Sequence, residues 1–500
     1  MHIARRAYSV SFFPALLYPV FIVAILLLAF SSGARCQDPS AADAVAVDVI
    51  FSDFAKPGSP GCSVAVARDA KLLYAKGYGT ANLELDVPLS PSSVFDIGST
   101  SKQFTAASIL LLEKQGRLSI NDDIHKFLPE LPDYGKKITI LNMLNHTSGL
   151  RDYLVLFELA GENVDSVTTD EEAQALIVRQ KALNFDPGSE YLYSNTGYFL
   201  LSVIVKRVSG KSLRDFAAEN IFQPLDMTHT QYRDSHTLLI ANRALAYDPA
   251  EKGTRYTLDV SYFEQTGDGA VHTTVGDLLK WDENFYSAKV GGKEFLAEMQ
   301  QTGTLTSGKH FGYAKGLSVS TYRGLRTVRH GGSWGGYRAE LLRFPDQHFS
   351  VVCLCNRSDG NPSRHANRVA EIYLGGLMKE KPPKKDADDD EDSKPRPKIS
   401  VPDPELDGFA GDYSSDELGV TYRLTIAKGK LTLASILAAG IPRSNDLAGK
   451  EIIPVAKDEF ELLGDDPITV KFTRDSAGHP ASFALDAGRT TGIIFVRQAR

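Results

Sequence analysis

The chain of 500 residues has few cysteines, no excess of basic residues and no histidine spacing typical of a metal site. Four cysteines are too few to build a fold of this length from disulfides. The net charge of -7 provides no basic surface, which argues against a nucleic-acid partner. The eleven histidines show neither His-x-His nor His-Glu-x-x-His spacing, so we expect no metal.

One long apolar run lies near the N-terminus, from about Tyr8 to Phe30. Arg5 and Arg6 precede it and small residues follow it, a pattern typical of an export signal. The run is nearly long enough to span a bilayer, so a cleaved signal and an uncleaved anchor both stay open. Residues 1–36 are therefore predicted to be a signal peptide or membrane anchor, and the protein to be exported to a periplasmic or other extracytoplasmic location.

A change in composition divides the remaining chain. Residues 379–400 combine dense charge with prolines and cannot bury a core, which predicts a solvated linker. Residues 37–378 carry strand patterns at both ends and helical patterns between them, which predicts an antiparallel sheet flanked by helices plus a helical subdomain. Residues 401–500 alternate apolar and polar positions between turns, which predicts a separate small all-β domain, barrel or sandwich.

The cysteines outside the first segment permit two interpretations. Cys353 and Cys355 alternate along one apolar run, and Cys62 lies in another strand-like run. Buried free thiols are the preferred interpretation, and a bridge from Cys62 to one of the pair remains open.

Ser99 and Lys102 form the sharpest local motif of the sequence. A spacing of three places both side chains on one face of a helix, one turn apart. A serine hydroxyl becomes a good nucleophile when a nearby base accepts its proton, and a lysine with a lowered pKa can act as that base. The positive end of a helix dipole disfavours the lysine ammonium and favours an oxyanion.

Two further segments carry residues suited to the same chemistry. Tyr193 and Asn195 follow a Pro-Gly turn and precede a helical pattern. A tyrosine beside a lysine can transfer protons, and an asparagine amide can orient a lysine and bind a substrate carbonyl. His330 begins the sequence His-Gly-Gly-Ser, placed before a strand-like run, where glycines let a substrate lie against the strand edge.

These three segments, in this order, resemble the motifs of the serine β-lactamase and penicillin-binding protein family, in its class C β-lactamase and D-Ala-D-Ala carboxypeptidase branch. The surrounding sequence agrees over roughly residues 45 to 375, including Phe95–Ser99 and Leu144–Leu150. The resemblance implies a β-lactamase/transpeptidase-like α/β fold with mixed α and β elements.

The resemblance also implies roles for individual residues and no cofactor or metal. Ser99 would be acylated, Lys102 would accept its proton, and Tyr193 would act as general base and acid. Asn195 and His330 would bind substrate. Gly332 would let it approach the strand, and the backbone N–H groups of Ser99 and Ser333 would bind the oxyanion. The expected partner is a small molecule or peptide with an amide or ester carbonyl.

One departure from the family pattern affects substrate choice. Many β-lactamases of this type have Lys-Thr-Gly where this chain has His330-Gly331-Gly332. A mostly neutral imidazole holds a carboxylate less firmly than lysine does, so peptidase or esterase action is favoured over β-lactam hydrolysis. Arg338 is interpreted as a solvated strand residue rather than the missing cation.

Three functions follow from the sequence. The first is an exported serine hydrolase that forms an acyl-enzyme on Ser99 and cleaves amide or ester bonds. The alternatives are a promiscuous carboxylesterase at the same site and a ligand-binding or sensing module without turnover. Gly331–Gly335 also fits the Gly-x-Ser-x-Gly elbow of another hydrolase class, but the strand pattern after Ser333 argues against it. His146 and Asp268 are interpreted as structural, although the segment Gly267–Ala270 resembles a family segment near the active site.

Overall fold

The computed structural model describes residues 41–162, 166–250, 255–379, 403–443, 447–462 and 468–499. The predicted signal or anchor at 1–36 lies outside these residues, and so does nearly all of the predicted linker. None of the helices in the described ranges is long and apolar enough to cross a membrane. All described residues belong to one compact unit.

The first region contains mixed helices and strands, which follow one another along the chain. They are α1 (Ala41–Ile50), β1 (Cys62–Arg68), β2 (Lys71–Tyr78), β3 (Thr80–Asn82), β4 (Val87–Pro88), β5 (Phe95–Asp96), α2 (Lys102–Lys114), α3 (Ile140–Leu144), α4 (Tyr153–Leu159), α5 (Asp170–Val178), α6 (Asn195–Ser209), α7 (Leu213–Ala217), β6 (Gln231–Tyr232), β7 (Tyr247–Pro249), β8 (Tyr256–Leu258), β9 (Val271–Thr273), α8 (Val275–Ser287), α9 (Lys293–Met299), β10 (Ser318–Tyr322), β11 (Leu325–Trp334), β12 (Tyr337–Phe344), β13 (Phe349–Cys355) and α10 (Pro362–Leu374).

A six-stranded antiparallel sheet with the order β10-β11-β12-β13-β1-β2 forms the centre of this region. Because side chains alternate along a strand, each strand serves two cores. In β1, Val64 and Val66 pack with α1 and α10, whereas Ala65 faces the core that contains α2 and α8. The predicted sheet flanked by helices is confirmed.

The helical subdomain, α3 to α7, packs beside α2 on the second face of the sheet. Helix α2 is buried from Lys102 to Leu112 because α6, α7 and α9 pack around it. Helix α6 ends at Gly210, whose φ of 77° forms a left-handed C-cap. This packing fixes the N-terminal ends of α2 and α6 against each other.

The C-terminal region is a closed β-barrel. Its elements are α11 (Asp403–Leu406), β14 (Gly411–Ser415), β15 (Val420–Ala427), β16 (Lys430–Ala438), β17 (Ile441–Arg443), β18 (Glu451–Ala456), β19 (Glu459–Leu462), β20 (Ile468–Arg474), β21 (Pro480–Ala487) and β22 (Thr490–Arg497). Pairing of β15 with β16 closes an eight-stranded ring, and β17 extends β16 outside it. Inward-facing aromatic rings, among them Phe460, Phe472 and Phe483, fill the interior. The predicted all-β region is confirmed as a barrel.

The preferred interpretation of the cysteines is wrong. Cys62 and Cys355 form a disulfide, and Cys353 is a buried free thiol. The two bonded cysteines lie directly opposite each other in the β1–β13 pair, whereas Cys353 is opposite Val64. The register of the sheet therefore selects the bridge that the sequence left open. Although the three sulfur atoms lie close together, the disulfide occupies two of them and leaves no thiolate set for a metal.

A buried ion pair joins the barrel to the helical subdomain. Arg151 donates to Glu417 Oε1 at 2.6 Å, with side-chain exposures of 1% and 4%. Arg151 also donates to Gln180 Oε1 and to the carbonyl of Gly492, and Tyr422 Oη donates to the carbonyl of Leu159. The boundaries 37–378 and 401–500 stay predictions, and these contacts show that each region supplies buried polar partners to the other.

Glu417→Ala is expected to lower the free energy of unfolding by about 3–5 kcal/mol, because it leaves the Arg151 guanidinium buried without its anion. Asp416→Ala is the matched control. The Asp416 carboxylate, next to Glu417 in sequence, pairs with Lys181 but is 86% exposed, so its loss should have a far smaller effect on the free energy of unfolding. Urea unfolding monitored by circular dichroism measures both. Equal effects of the two substitutions would contradict the prediction.

Candidate active site

Ser99 lies in a one-turn 3₁₀ helix, Gly98–Ser101, which joins β5 to α2. Gly98, the residue before Ser99, has a φ of 47°, a conformation that favours glycine. The turn lifts Ser99 out of the strand and presents its hydroxyl at the N-terminal end of the buried helix α2. The sequence motif thus occupies the helix start that it predicted.

Lys102, the first residue of α2, is fully buried beneath Ser99. Its Nζ lies 3.0 Å from Ser99 Oγ, 2.9 Å from Asn195 Oδ1 and 2.7 Å from the carbonyl oxygen of Asp268. These three neighbours come from the 3₁₀ turn before α2, from the start of α6 and from the loop before β9. The nitrogen therefore has one contact to the hydroxyl and two to fixed oxygen acceptors.

Burial lowers the pKa of the Lys102 ammonium to about 7, because desolvation disfavours its charge. The nearby Arg489 lowers this pKa further, whereas Asp268 and Asp152 oppose the shift. A neutral amine has two N–H donors and one lone pair. The donors match Asn195 Oδ1 and the Asp268 carbonyl, so the lone pair faces Ser99 Oγ.

Tyr193 and Asn195 reach the lysine from the start of α6. The Asn195 backbone N–H donates to Asp152 Oδ2 at 2.7 Å, which holds this end of the helix in place. The Tyr193 ring centroid lies 4.8 Å from Lys102 Nζ, and its buried Oη faces Ser99, whose side-chain hydrogen bond opposes the effect of burial on the phenol pKa. Burial raises the pKa of Tyr193 well above 10, so the resting phenol is protonated.

The sequence predicted that the His-Gly-Gly-Ser segment precedes a strand. In the structure the segment lies within strand β11. Its strand pairs with β12, and Ser333 is opposite Arg338 in a hairpin. The chain continues from Ser333 directly into the hairpin and β12 rather than into a helix, so the nucleophile-elbow alternative does not fit. Glycines interrupt the alternation of side chains that marks a strand, which explains why the strand was predicted to begin only after Ser333.

His330 is neutral in this position. Its Nδ1 lies 2.6 Å from the carbonyl oxygen of Gly331, which assigns the N–H to that atom, and Nε2 accepts from Tyr313 Oη at 3.0 Å. Burial lowers the pKa of His330 to about 4. The residue therefore supplies no positive charge for a substrate at neutral pH.

The turn before Ser99 packs directly on β11. A Cβ added to Gly332 would lie 1.9 Å from the Ile97 carbonyl oxygen, and one added to Gly98 would lie 2.8 Å from Ser333 N. Thr100 Oγ1 donates to the His330 carbonyl at 3.1 Å and fastens the two segments. The backbones of Ser99 and Ser333 are thus brought together by two positions where glycine is required.

A cavity of about 750 Å³ opens above Ser99. Six of the predicted site residues line it: Ser99, Tyr193, Asn195, His330, Gly332 and Ser333. Lys102, the seventh, lies beneath the floor in contact with Ser99. The structure therefore brings all of the predicted site residues together.

Other residues of the site were missed or judged structural. Asp268 supplies the carbonyl that binds Lys102, and its carboxylate accepts from Tyr153 Oη at 2.9 Å. His146 stacks on Tyr193 at a centroid distance of 4.2 Å and accepts the Ser194 N–H through Nδ1. Asp268 lay in a segment that resembled the family near its active site, whereas His146 lay in a recognised turn.

The barrel also contributes to the cavity. Arg489, in the turn between β21 and β22, lines its wall beside Tyr193. Arg338 lines it as well, but its Nη1 donates to the carbonyls of Gly335 and Tyr337, so the interpretation as a solvated residue is wrong. Nothing in the local sequence around Arg489 indicates a place in the site.

The central sheet flanked by helices and the Ser-Lys-Tyr cluster define a penicillin-binding type of serine hydrolase fold and site. A model of the family described as Beta-lactamase matches residues 47–374, and the protein belongs to that family.

Relatives in this family include both penicillin-binding proteins and peptidases. Penicillin-binding protein 4* of Bacillus subtilis is 29% identical over 331 residues, covering 63% of this chain and 72% of that protein. A D-aminopeptidase of Brucella anthropi is 27% identical over 317 residues, covering 63% of this chain but 59% of that enzyme. A D-aminopeptidase of Cereibacter sphaeroides is 28% identical over 449 residues, covering 88% of this chain and 80% of that enzyme.

Solved structures confirm the fold. The octameric penicillin-binding protein homologue from Pyrococcus abyssi matches with a TM-score of 0.60 at 23% identity, over 90% of this chain and 99% of that one. The D-amino acid amidase from Ochrobactrum anthropi SV3 matches with a TM-score of 0.57 at 22% identity, over 67% of this chain and all of that one.

Gly332→Ala is expected to lower kcat/KM by at least about a hundredfold. The added methyl group would force β11 away from the Ile97 carbonyl and separate the Ser333 N–H from Ser99, and loss of one oxyanion donor has that effect. Gly276→Ala is the control, since its Cβ has no neighbour closer than 3.9 Å. Activity per folded molecule, with folding followed by circular dichroism, tests this; a fully active Gly332→Ala protein would refute it.

Proposed function

We propose that the protein is an exported serine amidohydrolase that cleaves small peptides or amides through an acyl-enzyme on Ser99. The contact set of Lys102 carries this proposal: a buried amine with its lone pair facing Ser99 Oγ and its two donors engaged elsewhere. A serine in this position loses its proton as it attacks, and the lysine gains it.

Acylation follows from the arrangement of the site. Ser99 Oγ attacks the substrate carbonyl carbon, and its proton passes to Lys102 Nζ. The resulting oxyanion accepts hydrogen bonds from the backbone N–H groups of Ser99 and Ser333, which the glycine contacts bring together. The C–N bond then breaks, leaving the acyl group on Ser99.

Tyr193 supplies the leaving amine with its proton. The phenol is protonated at rest because its pKa is raised, and its ring lies beside Lys102 Nζ. Once Tyr193 donates its proton to the amine, the proton held by Lys102 restores the phenol. Water then attacks the acyl group, and the same residues act in reverse to release the acid.

The proposed substrate class follows from the relatives and from the His-Gly-Gly-Ser segment. The relatives include D-aminopeptidases and a protein solved as a D-amino acid amidase, which favours a short amide or peptide that contains a D-residue. The 750 Å³ cavity is large enough for such a molecule. Neutral His330 stands where many β-lactamases have lysine, so the His-Gly-Gly-Ser segment itself supplies no cation for the carboxylate of a β-lactam.

A carboxylesterase is the second candidate, favoured by the same neutral histidine. Uncharged esters need no cation at the His330 position to bind a carboxylate. Their alcohol leaving groups also depend less on Tyr193 as a general acid. A non-turnover binding module is less consistent with the site, because binding alone would not require a buried lysine next to a serine hydroxyl.

Export is supported by the disulfide. The Cys62–Cys355 bond requires an oxidising compartment, and disulfides are rare in the cytosol. The apolar N-terminal run provides the corresponding signal or membrane anchor.

Ser99→Ala is expected to abolish the covalent adduct formed with p-nitrophenyl butyrate or nitrocefin, since it removes the attacking oxygen. Ser333→Ala should still acquire the adduct, because its proposed role uses the backbone N–H. Intact-mass spectrometry after rapid acid quench measures both. An adduct on the Ser99→Ala protein would disprove the assignment of the nucleophile.

The acylation rate is expected to rise with pH through about 7 and then level off, because Lys102 accepts a proton only as the neutral amine. The charges of Asp268 and Asp152 favour the ammonium form of Lys102, and the charge of Arg489 opposes it. The other titratable groups near Lys102 are Tyr193, His146 and His330. Asp268→Asn removes one negative charge and so lowers the pKa of Lys102. The acid limb should then move down by about one pH unit.

The pH profile of kcat/KM for a neutral ester measures this limb. Asp359→Asn is the control, since this cavity carboxylate binds Arg357 rather than facing Lys102. A limb that stays in place, or moves to higher pH, in Asp268→Asn would show that another group titrates.

A further inference from the structure

Three arginine side chains line the catalytic cavity, and two of them are already engaged by the protein. Arg233 donates to the carbonyls of Ser261 and His236 at 3.2 and 2.9 Å. Arg338 donates to the carbonyls of its own hairpin at 2.5 and 2.7 Å. Both guanidinium groups therefore already donate to protein carbonyls.

Arg489 differs from both. Its Nε lies 3.5 Å from Asp152 Oδ2, and its guanidinium carbon lies 5.7 Å from the centroid of the Tyr193 ring. The two terminal amino groups donate to no acceptor among the described residues, and the side chain, which is 34% exposed, lines the cavity. The Nε of the guanidinium is therefore paired with Asp152, and the side chain lines the same cavity as Ser99.

The turn that carries Arg489 is fastened to the catalytic region. The Arg489 carbonyl accepts from Asn184 Nδ2 at 2.9 Å and from the Asp152 N–H at 3.4 Å. Thr491 returns a hydrogen bond from its N–H to Asn184 Oδ1 at 2.9 Å. The backbone of Arg489 is therefore held at the cavity wall before a ligand binds.

Asp152 does not neutralise this guanidinium as a tight partner would. Its Oδ2 accepts the Asn195 N–H at 2.7 Å and its Oδ1 accepts the Leu154 N–H at 3.1 Å, so the carboxylate mainly caps the starts of α4 and α6. An arginine with two free parallel donors binds a carboxylate in bidentate fashion.

From this geometry, and given the proposed amidohydrolase function, we propose that Arg489 of the C-terminal barrel binds the carboxylate of the substrate. The barrel then completes the active site, and it supplies the positive charge that His330 lacks. Substrates with a carboxylate near the scissile bond are preferred over neutral ones for this reason.

Two substrate pairs test the proposal, one for each side of the scissile bond. The dipeptide D-Ala-D-Ala is compared with its C-terminal amide, and p-nitrophenyl hydrogen glutarate with p-nitrophenyl valerate. The ratio of kcat/KM for the acidic to the neutral member is measured on the full chain at the pH plateau. The variants are Arg489→Gln, Arg489→Lys and, as control, Arg423→Gln, a barrel arginine paired with Asp412.

In at least one pair, Arg489→Gln should lower the ratio roughly ten- to a hundredfold, the range for a lost charge-assisted hydrogen bond. Arg489→Lys should restore part of it, and Arg423→Gln should leave the ratio as in the wild type. An unchanged ratio in both pairs, or equal loss for both members as expected of a structural role, overturns the proposal. Absence of any Ser99 adduct in the wild type instead refutes the proposed function, and this proposal with it.

Discussion

The burial of one amine, that of Lys102, is the constraint on which the rest of the site depends. An ammonium buried without hydrogen-bond acceptors would destabilise the folded state, so the surrounding chain must supply oxygen atoms at fixed positions. Asn195 supplies one from α6 and Asp268 supplies another from the loop before β9. These contacts fix three separate segments around Ser99, and they leave the lysine poised between its charged and neutral forms.

The parts of the site set by local spacing could be predicted from sequence. Ser99 and Lys102 are one turn apart, and the helical period places them together whatever the rest of the chain does. Strand patterns at both ends of residues 37–378 likewise predicted the antiparallel sheet that the structure shows. The chemistry of Tyr193, Asn195 and His330 made them candidates, but only the resemblance linked them to Ser99, since no local spacing connects them.

The remaining parts depend on contacts between distant residues. The Asp268 group that binds Lys102 is a backbone carbonyl, which every residue has and no sequence pattern reveals. The choice of Cys355 over Cys353 depends on the register between strands 293 residues apart. Arg489 enters the cavity because the barrel docks through Arg151 and Glu417, an interaction between two ordinary charged positions.

The disulfide has a consequence for how the chain folds. It closes the catalytic region into a covalent ring, since Cys62 and Cys355 lie in adjacent strands but 293 residues apart in sequence. Pairing of such distant strands is normally the slow, entropically costly step of building a sheet. In an oxidised chain that has unfolded, β1 and β13 remain tethered side by side, so their pairing is already local when refolding begins. The oxidised protein should therefore fold with the kinetics of a chain whose sheet has a much simpler topology.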